Sequence, residues 1–123
     1  MLATNLSLDV FREAQEHVSV HARRTPLLGS ASLSAATGFD IYLKAESFQR
    51  TGSYKLRGPL NKFAHLTDDE KRAGVICSSA GNHAQGVALA AALHGIRAVV
   101  VMAENATPAK IEATRGYLSL IHI

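Results

Sequence analysis

Between Val75 and Met102 the chain strings together segments in an order that admits few folds. Val75 to Ser78 is a short β-prone run, and Ser78 to Gln85 is a turn of small and polar residues. Val87 to Leu93 is an aliphatic helix body, Gly95 can cap it, and Arg97 to Met102 is a second, strongly apolar strand. Strand, helix and strand joined this closely make a β-α-β unit, with parallel strands and a right-handed crossover. The fold class that follows is α/β, a small parallel sheet flanked by helices.

The flanking segments carry their own start and stop signals. From Leu6 to Arg23, Leu8, Phe11, Ala14, Val18 and His21 or Ala22 recur at helical spacing, with Asp9, Glu13 and Glu16 on other faces, so an amphipathic helix is expected. Pro26 ends it. A Ser/Ala/Gly-rich turn, Gly29 to Gly38, then leads to a strand over Asp40 to Glu46, with Ile41, Leu43 and Ala45 expected on a buried face. Thr67 and Glu70 form a capping-box pattern for a helix ended by Gly74, and Thr107-Pro108 opens another. His17 and His21 stand four apart, but no acidic third ligand has the spacing of a known metal site, so they are read as a surface pair and no metal is expected.

Two loops carry the chemistry. In the first, Glu46 to Gly58, Gly52 permits a tight turn and Ser53 can cap a helix bearing Leu56, Leu60 and Phe63 on one face. Lys55 then falls in the first turn. The helix dipole, nearby Arg57 and any burial disfavour its ammonium form, and a neutral amine can form a Schiff base with a carbonyl. Pro59 must lie in the first turns or kink the helix, because a proline further in costs about 3 kcal/mol.

The second loop, Ser78 to Gly86, is a strand-to-helix turn of the kind whose backbone N–H groups converge on an anion, a phosphate or a carboxylate. Gly81 and Gly86 allow close approach, Ser78 and Ser79 supply hydroxyls, and Asn82 offers donor and acceptor. No Lys-Ser/Thr follows a Gly-x-x-x-x-Gly, and no Gly-x-Gly-x-x-Gly is present, which argues against the NTPase and dinucleotide loops.

Thr51-Gly52-Ser53-Tyr54-Lys55-Leu56-Arg57-Gly58, followed by Ser78-Ser79-Ala80-Gly81-Asn82-His83-Ala84-Gln85-Gly86, resembles the threonine and serine dehydratases, pyridoxal phosphate enzymes of fold type II. The resemblance covers about residues 25 to 117. It implies that Lys55 carries the cofactor and moves the Cα proton, that Tyr54 packs on the ring, and that Asn82 holds the ring oxygen. It assigns the loop Ser78, Ser79, Ala80, Gly81, Asn82 and His83 to the substrate carboxylate, with Ser79 foremost and His83 more structural than catalytic. Glu46 and Gln49 match the family's Glu-x-x-Gln, and loop-fixing hydrogen bonds are expected of them. The sequence departs from the pattern at Pro59, where a small residue is usual, and at Ala80. Serine racemases of the family carry a serine there that protonates the opposite face of the substrate, so Ala80 points to elimination.

The resemblance further implies that residues 1–50 belong to the large domain and 51–117 make most of the small one, in a protein that is a homo-oligomer at full length. After Tyr117 the family pattern stops. Leu118 to Ile123 is what CTG-TCT-CTT-ATA-CAC-ATC encodes, which resembles the transposon end used in DNA library preparation. A non-native tail is therefore expected at 118–123, with a genuine short strand as the rival reading. On the first reading, the family's phosphate-binding loop belongs to sequence beyond this stretch; a chain that truly ends at Ile123 would instead be an inactive or binding-only module.

Composition bears on partners and compartment. A net charge of +3 with scattered basic residues is no nucleic-acid footprint. Cys77 stands alone in an apolar run, so it makes no internal disulfide and reads as a small buried residue, which fits a cytoplasmic protein. There is no signal-peptide pattern and no apolar run near 18 residues, so no membrane association is expected.

Overall fold

The computed structural model describes residues 7–117 and the backbone of residues 120–122. Helix α1 (Leu8–Ser19) is followed by strand β1 (Leu27–Gly29), helix α2 (Ala31–Thr37) and strand β2 (Tyr42–Lys44). Two 3-10 turns, Glu46–Phe48 and Tyr54–Leu56, lead into α3 (Arg57–Ala64) and α4 (Asp68–Ala73). The rest alternates β3 (Val75–Ser78), α5 (Asn82–His94), β4 (Ala98–Val101), α6 (Pro108–Arg115) and β5 (Leu120–His122). The chain is α/β, as its segment order requires.

There are two sheets. β1 and β2 pair antiparallel, Leu28 opposite Leu43, while β3, β4 and β5 lie side by side in that order and run parallel. Val75 pairs with Ala98 and Ser78 with Val101, so the β3-α5-β4 unit is the expected parallel one. Residues 120–122, on the segment with two rival readings, add β5 to the far side of β4.

The core lies between α3, α5 and the parallel sheet. Leu56, Leu60 and Phe63 are buried along the face predicted for them and meet Val87, Ala90 and Ala91 of α5 and Ala98 of β4. α5 buries Ala84, Gly86, Ala88, Ala90 and Ala91, small side chains that let the helix lie close to both neighbours. Gly95 ends it in the left-handed conformation, φ 66°. Thr67 and Glu70 make the full capping box at α4, the Glu70 carboxylate accepting the Thr67 N–H at 2.7 Å. Pro59 is the third residue of α3, behind the 3-10 turn, where its missing N–H falls among groups that have no intrahelical acceptor anyway.

Four local expectations are corrected. α1 ends at Ser19 rather than near Arg23, and of its apolar stripe Val18 is buried whereas Leu8 and Phe11 are exposed, because the helix touches α3 through one end of that stripe. The Ser/Ala/Gly stretch is not a plain turn: it folds as α2, closed by Gly38 at φ 74°, and Ser34 Oγ accepts the Ile41 N–H at 2.9 Å. The strand over 40–46 shortens to Tyr42–Lys44, and Leu43 is exposed, since no second layer covers the β1-β2 sheet among the described residues. Cys77 is half-buried rather than buried, on the edge strand β3, where Ile76 is 72% exposed. That partial burial still pushes its thiol upward in pKa.

Candidate functional site

Lys55 is held by main chain rather than by its own side chain. Gly52, at φ 68°, turns the chain, and its N–H donates to Gln49 O at 2.8 Å. Ser53 caps the 3-10 turn, its Oγ accepting the Lys55 N–H at 3.3 Å. Leu56, wholly buried, anchors the far end. The Lys55 side chain points outward, with Nζ 5.0 Å from the centroid of the Tyr54 ring. Tyr54 is 58% exposed, so it does not fill the core and its ring face is open beside the amine.

Behind this turn a half-buried polar cluster ties the loop to the N-terminal segment. The Glu46 carboxylate accepts two hydrogen bonds from Arg57, at 2.8 and 2.7 Å, and one from the Thr25 hydroxyl at 2.5 Å. Gln49 accepts the Arg23 and Arg50 N–H groups at 2.9 and 3.0 Å and donates to Arg23 O at 3.0 Å. Both residues thus fix the loop, as expected. Arg57 spends its charge on Glu46, and the Lys55 side chain is exposed.

Hydrogen bonds from Arg57 are the largest cause holding the Glu46 carboxyl at about 2, helped by Thr25, the Arg57 charge and Gln49 and opposed by desolvation. A carboxyl depressed in the folded state stabilises the fold above its unfolded pKa and loses that contribution as pH falls through the folded one. Stability is therefore expected to drop between pH 4.5 and about 2. The loss is on the order of 2 kcal/mol from this group alone. Denaturant titrations across that range check it, and Glu46→Gln should flatten the acid limb.

The second loop leaves β3 at Ser78, and Ser79 N–H donates to Val101 O at 3.0 Å. Gly81 is the N-cap of α5 and supplies no side-chain cap, so the first-turn N–H groups have no acceptor within the helix and none from the cap. Ser79 Oγ accepts the Gly81 N–H at 3.3 Å, which folds the loop back on itself. Asn82 and His83 are exposed at the open end, while Ser79, Ala80 and Gly81 are half-buried. An uncapped helix start carrying exposed polar side chains is equipped for an anion.

Gly86 joins the two loops. A Cβ at this position would lie 2.8 Å from the carbonyl carbon of Lys55, closer still to its oxygen, and 3.2 Å from the Leu56 nitrogen. The α5 backbone thus rests directly on the main chain of the lysine turn. Asn82 is four residues back along the helix, about 6 Å. The sequence reading gave Gly86 to the approach of an anion, but its neighbour is Lys55. Gly81 has no heavy atom within 4 Å of an added Cβ.

A cavity of about 560 Å³ beside β3 is lined by Tyr54, Lys55, Cys77, His83 and Val87, among others, so His83 shares a surface with the lysine. Ser78, Ser79, Ala80, Gly81 and Asn82 are not in its lining. His17 does not pair with His21: it meets Glu13 and His65, and His21 faces His94, ring centroids 5.6 Å apart. His65 is distant in sequence from both His17 and His21, and its fixed place is the C-cap of α3.

The donor set fits pyridoxal phosphate in part: an exposed primary amine for its aldehyde, an open aromatic face, and an uncapped helix start for an anionic group.

Residues 18–122 match the family described as pyridoxal-phosphate dependent enzyme. The chain is 50% identical over 111 residues to the L-threonine ammonia-lyase of Thermotoga maritima, covering 90% of this chain and 28% of that protein. It is 51% identical over 113 residues to the catabolic L-threonine dehydratase of Staphylococcus aureus, covering 91% and 33%. Among solved structures, maize serine racemase superposes with a TM-score of 0.85 at 40% identity, over 94% of this chain and 35% of that one. The T.th. threonine deaminase gives 0.79 at 40% identity, over 94% and 36%. The chain spans about a third of the length of the curated relatives it matches.

Proposed function

The chain belongs to the family of pyridoxal-phosphate-dependent enzymes, and from that premise we propose that the whole protein eliminates water from L-threonine or L-serine, giving a 2-oxo acid and ammonia. One observation carries the reading: the seating of Gly86 on the Lys55 main chain, which sets the lysine turn about one helical turn from an uncapped helix start. Two relatives at about half identity, named threonine ammonia-lyase and threonine dehydratase, support the choice of reaction.

Pyridoxal phosphate, when bound, supplies the sink for the electron pair left at the substrate Cα. The Lys55 amine would hold its aldehyde and, when free, would take the proton from the substrate Cα. Tyr54 is assigned to the ring face and Asn82 to the ring oxygen. Ser79, with Ser78 and the N–H groups of Gly81, Asn82 and His83, is assigned to the substrate carboxylate, where the helix start favours negative charge. Ala80 has no proton to give, so nothing at that position returns one to the opposite face, and loss of the β-hydroxyl is the outcome.

The separate sheets support the division into a large-domain piece, 1–50, and a small domain, 51–117. Exposed Leu27, Leu28 and Leu43 support further burial by the remainder of a larger, homo-oligomeric protein. The unpaired Cys77 suits the cytoplasm. Among the described residues no helix is long and apolar enough to cross a membrane.

Product analysis of the whole enzyme tests the reaction. L-threonine should yield 2-oxobutanoate, and L-serine pyruvate, each with one equivalent of ammonia. Accumulation of D-serine without pyruvate would overturn this reading in favour of a serine racemase, the reaction named for the maize neighbour.

A further inference from the structure

α1 carries Glu13 and His17 four residues apart, hence on one face and one turn from each other. The C-cap of α3, His65, stands opposite them. His65 Nε2 lies 3.7 Å from Glu13 Oε1, and the His17 and His65 rings meet edge to face, centroids 4.8 Å apart and planes at 81°. One ligand atom from each of the three lies within 4.8 Å of the other two.

Two imidazoles and one carboxylate are the donors a borderline divalent ion prefers, whereas magnesium and calcium take shells of oxygen. A tetrahedral zinc with bonds of about 2.0–2.1 Å holds its ligand atoms about 3.4 Å apart. The widest separation here would close by roughly 1.4 Å. Glu13 and His65 are 58% and 46% exposed, which leaves their side chains room to rotate toward an ion.

We propose that Glu13, His17 and His65 bind a zinc ion that ties α1 to the end of α3, with water in the fourth position. α1 has reason to need such a tie. Val18 is its contribution to the buried core, and Leu8, Val10 and Phe11 lie exposed. An ion bound by both helices in the folded state and by neither arrangement in the unfolded one stabilises the fold by mass action. The site is independent of the lyase reaction, so its test does not rest on that assignment.

Zinc chloride alone is titrated into the metal-stripped whole enzyme by calorimetry, with the thermal midpoint followed by circular dichroism in the same samples. One equivalent should bind and raise the midpoint. His17→Asn and His65→Asn should each weaken binding by at least about tenfold, and His21→Asn should bind as the wild type does. A zinc-edge absorption spectrum of the wild-type chain reports the ligands without any variant, and two imidazoles per zinc are expected. No saturable binding, equal affinity in the triad variants, or a spectrum without imidazole would each overturn the site and leave an ion pair beside a ring contact.

Discussion

Gly86→Ala in the whole enzyme should lower both stability and turnover, although the substitution adds a single methyl group to a helix. The methyl would stand 2.8 Å from the Lys55 carbonyl carbon and 3.2 Å from the Leu56 nitrogen, and neither main-chain atom can swing aside as a side chain could. Either α5 withdraws from α3 or the lysine turn is pushed outward. Leu56 and Leu60, both wholly buried, resist the second, so part of the strain stays in the core. Overpacking of this kind costs about 1–3 kcal/mol, and a misplacement near 1 Å of a reacting group costs about a hundredfold in rate. Gly58→Ala is the control: it lies in α3 with nothing within 4 Å of an added Cβ, and alanine is the better helix former. Thermal unfolding and steady-state kinetics of the two variants check the prediction. Wild-type stability and rate in Gly86→Ala would mean that the contact does not hold the lysine.

Lys55→Ala should abolish the reaction while leaving the fold intact. The side chain is exposed, and its amine lies against the open Tyr54 ring, so its removal unpacks nothing in the core. The Ser53 cap is made to the Lys55 main-chain N–H and survives the change. Two roles disappear together: attachment of the cofactor aldehyde and transfer of the Cα proton. Loss of a positioned proton-transfer group alone costs about 10²–10⁴-fold, and losing the attachment point adds to it. Release of 2-oxo acid should fall by at least about a thousandfold. Circular dichroism should match the wild type, and a variant that keeps its turnover would remove Lys55 from the chemistry.

Much of this arrangement could be read from local pattern. Thr67 and Glu70, Gly95 and the Val75–Met102 unit each combine a backbone requirement with a residue type that meets it, and each took its expected form, whereas Ser53 caps a 3-10 turn and α3 begins only at Arg57. Glu46 and Gln49 fixed the loop for the same reason: their side chains satisfy backbone and charge within a short span of chain. What escaped depends on neighbours that periodicity does not identify. The stripe of α1 and the alternation at Leu43 show which face is apolar but not what covers it, so Leu8, Phe11 and Leu43 were expected inside and lie outside. α2 is built of serine, alanine and threonine, residues equally at home in a turn. Gly86 was legible as a glycine but not as a contact, because its partner is 31 positions away in sequence. His65 joins His17 and Glu13 for a tertiary reason too, the end of α3 meeting α1.

The central claim, that Lys55 carries the cofactor, is tested most directly by trapping. The whole enzyme loaded with pyridoxal phosphate is reduced with borohydride, digested, and its modified lysine located by mass spectrometry. The pyridoxyl group should be found on the peptide containing Tyr54-Lys55-Leu56. A label on another lysine, such as Lys44 or Lys62, with Lys55 unmodified, would contradict the account.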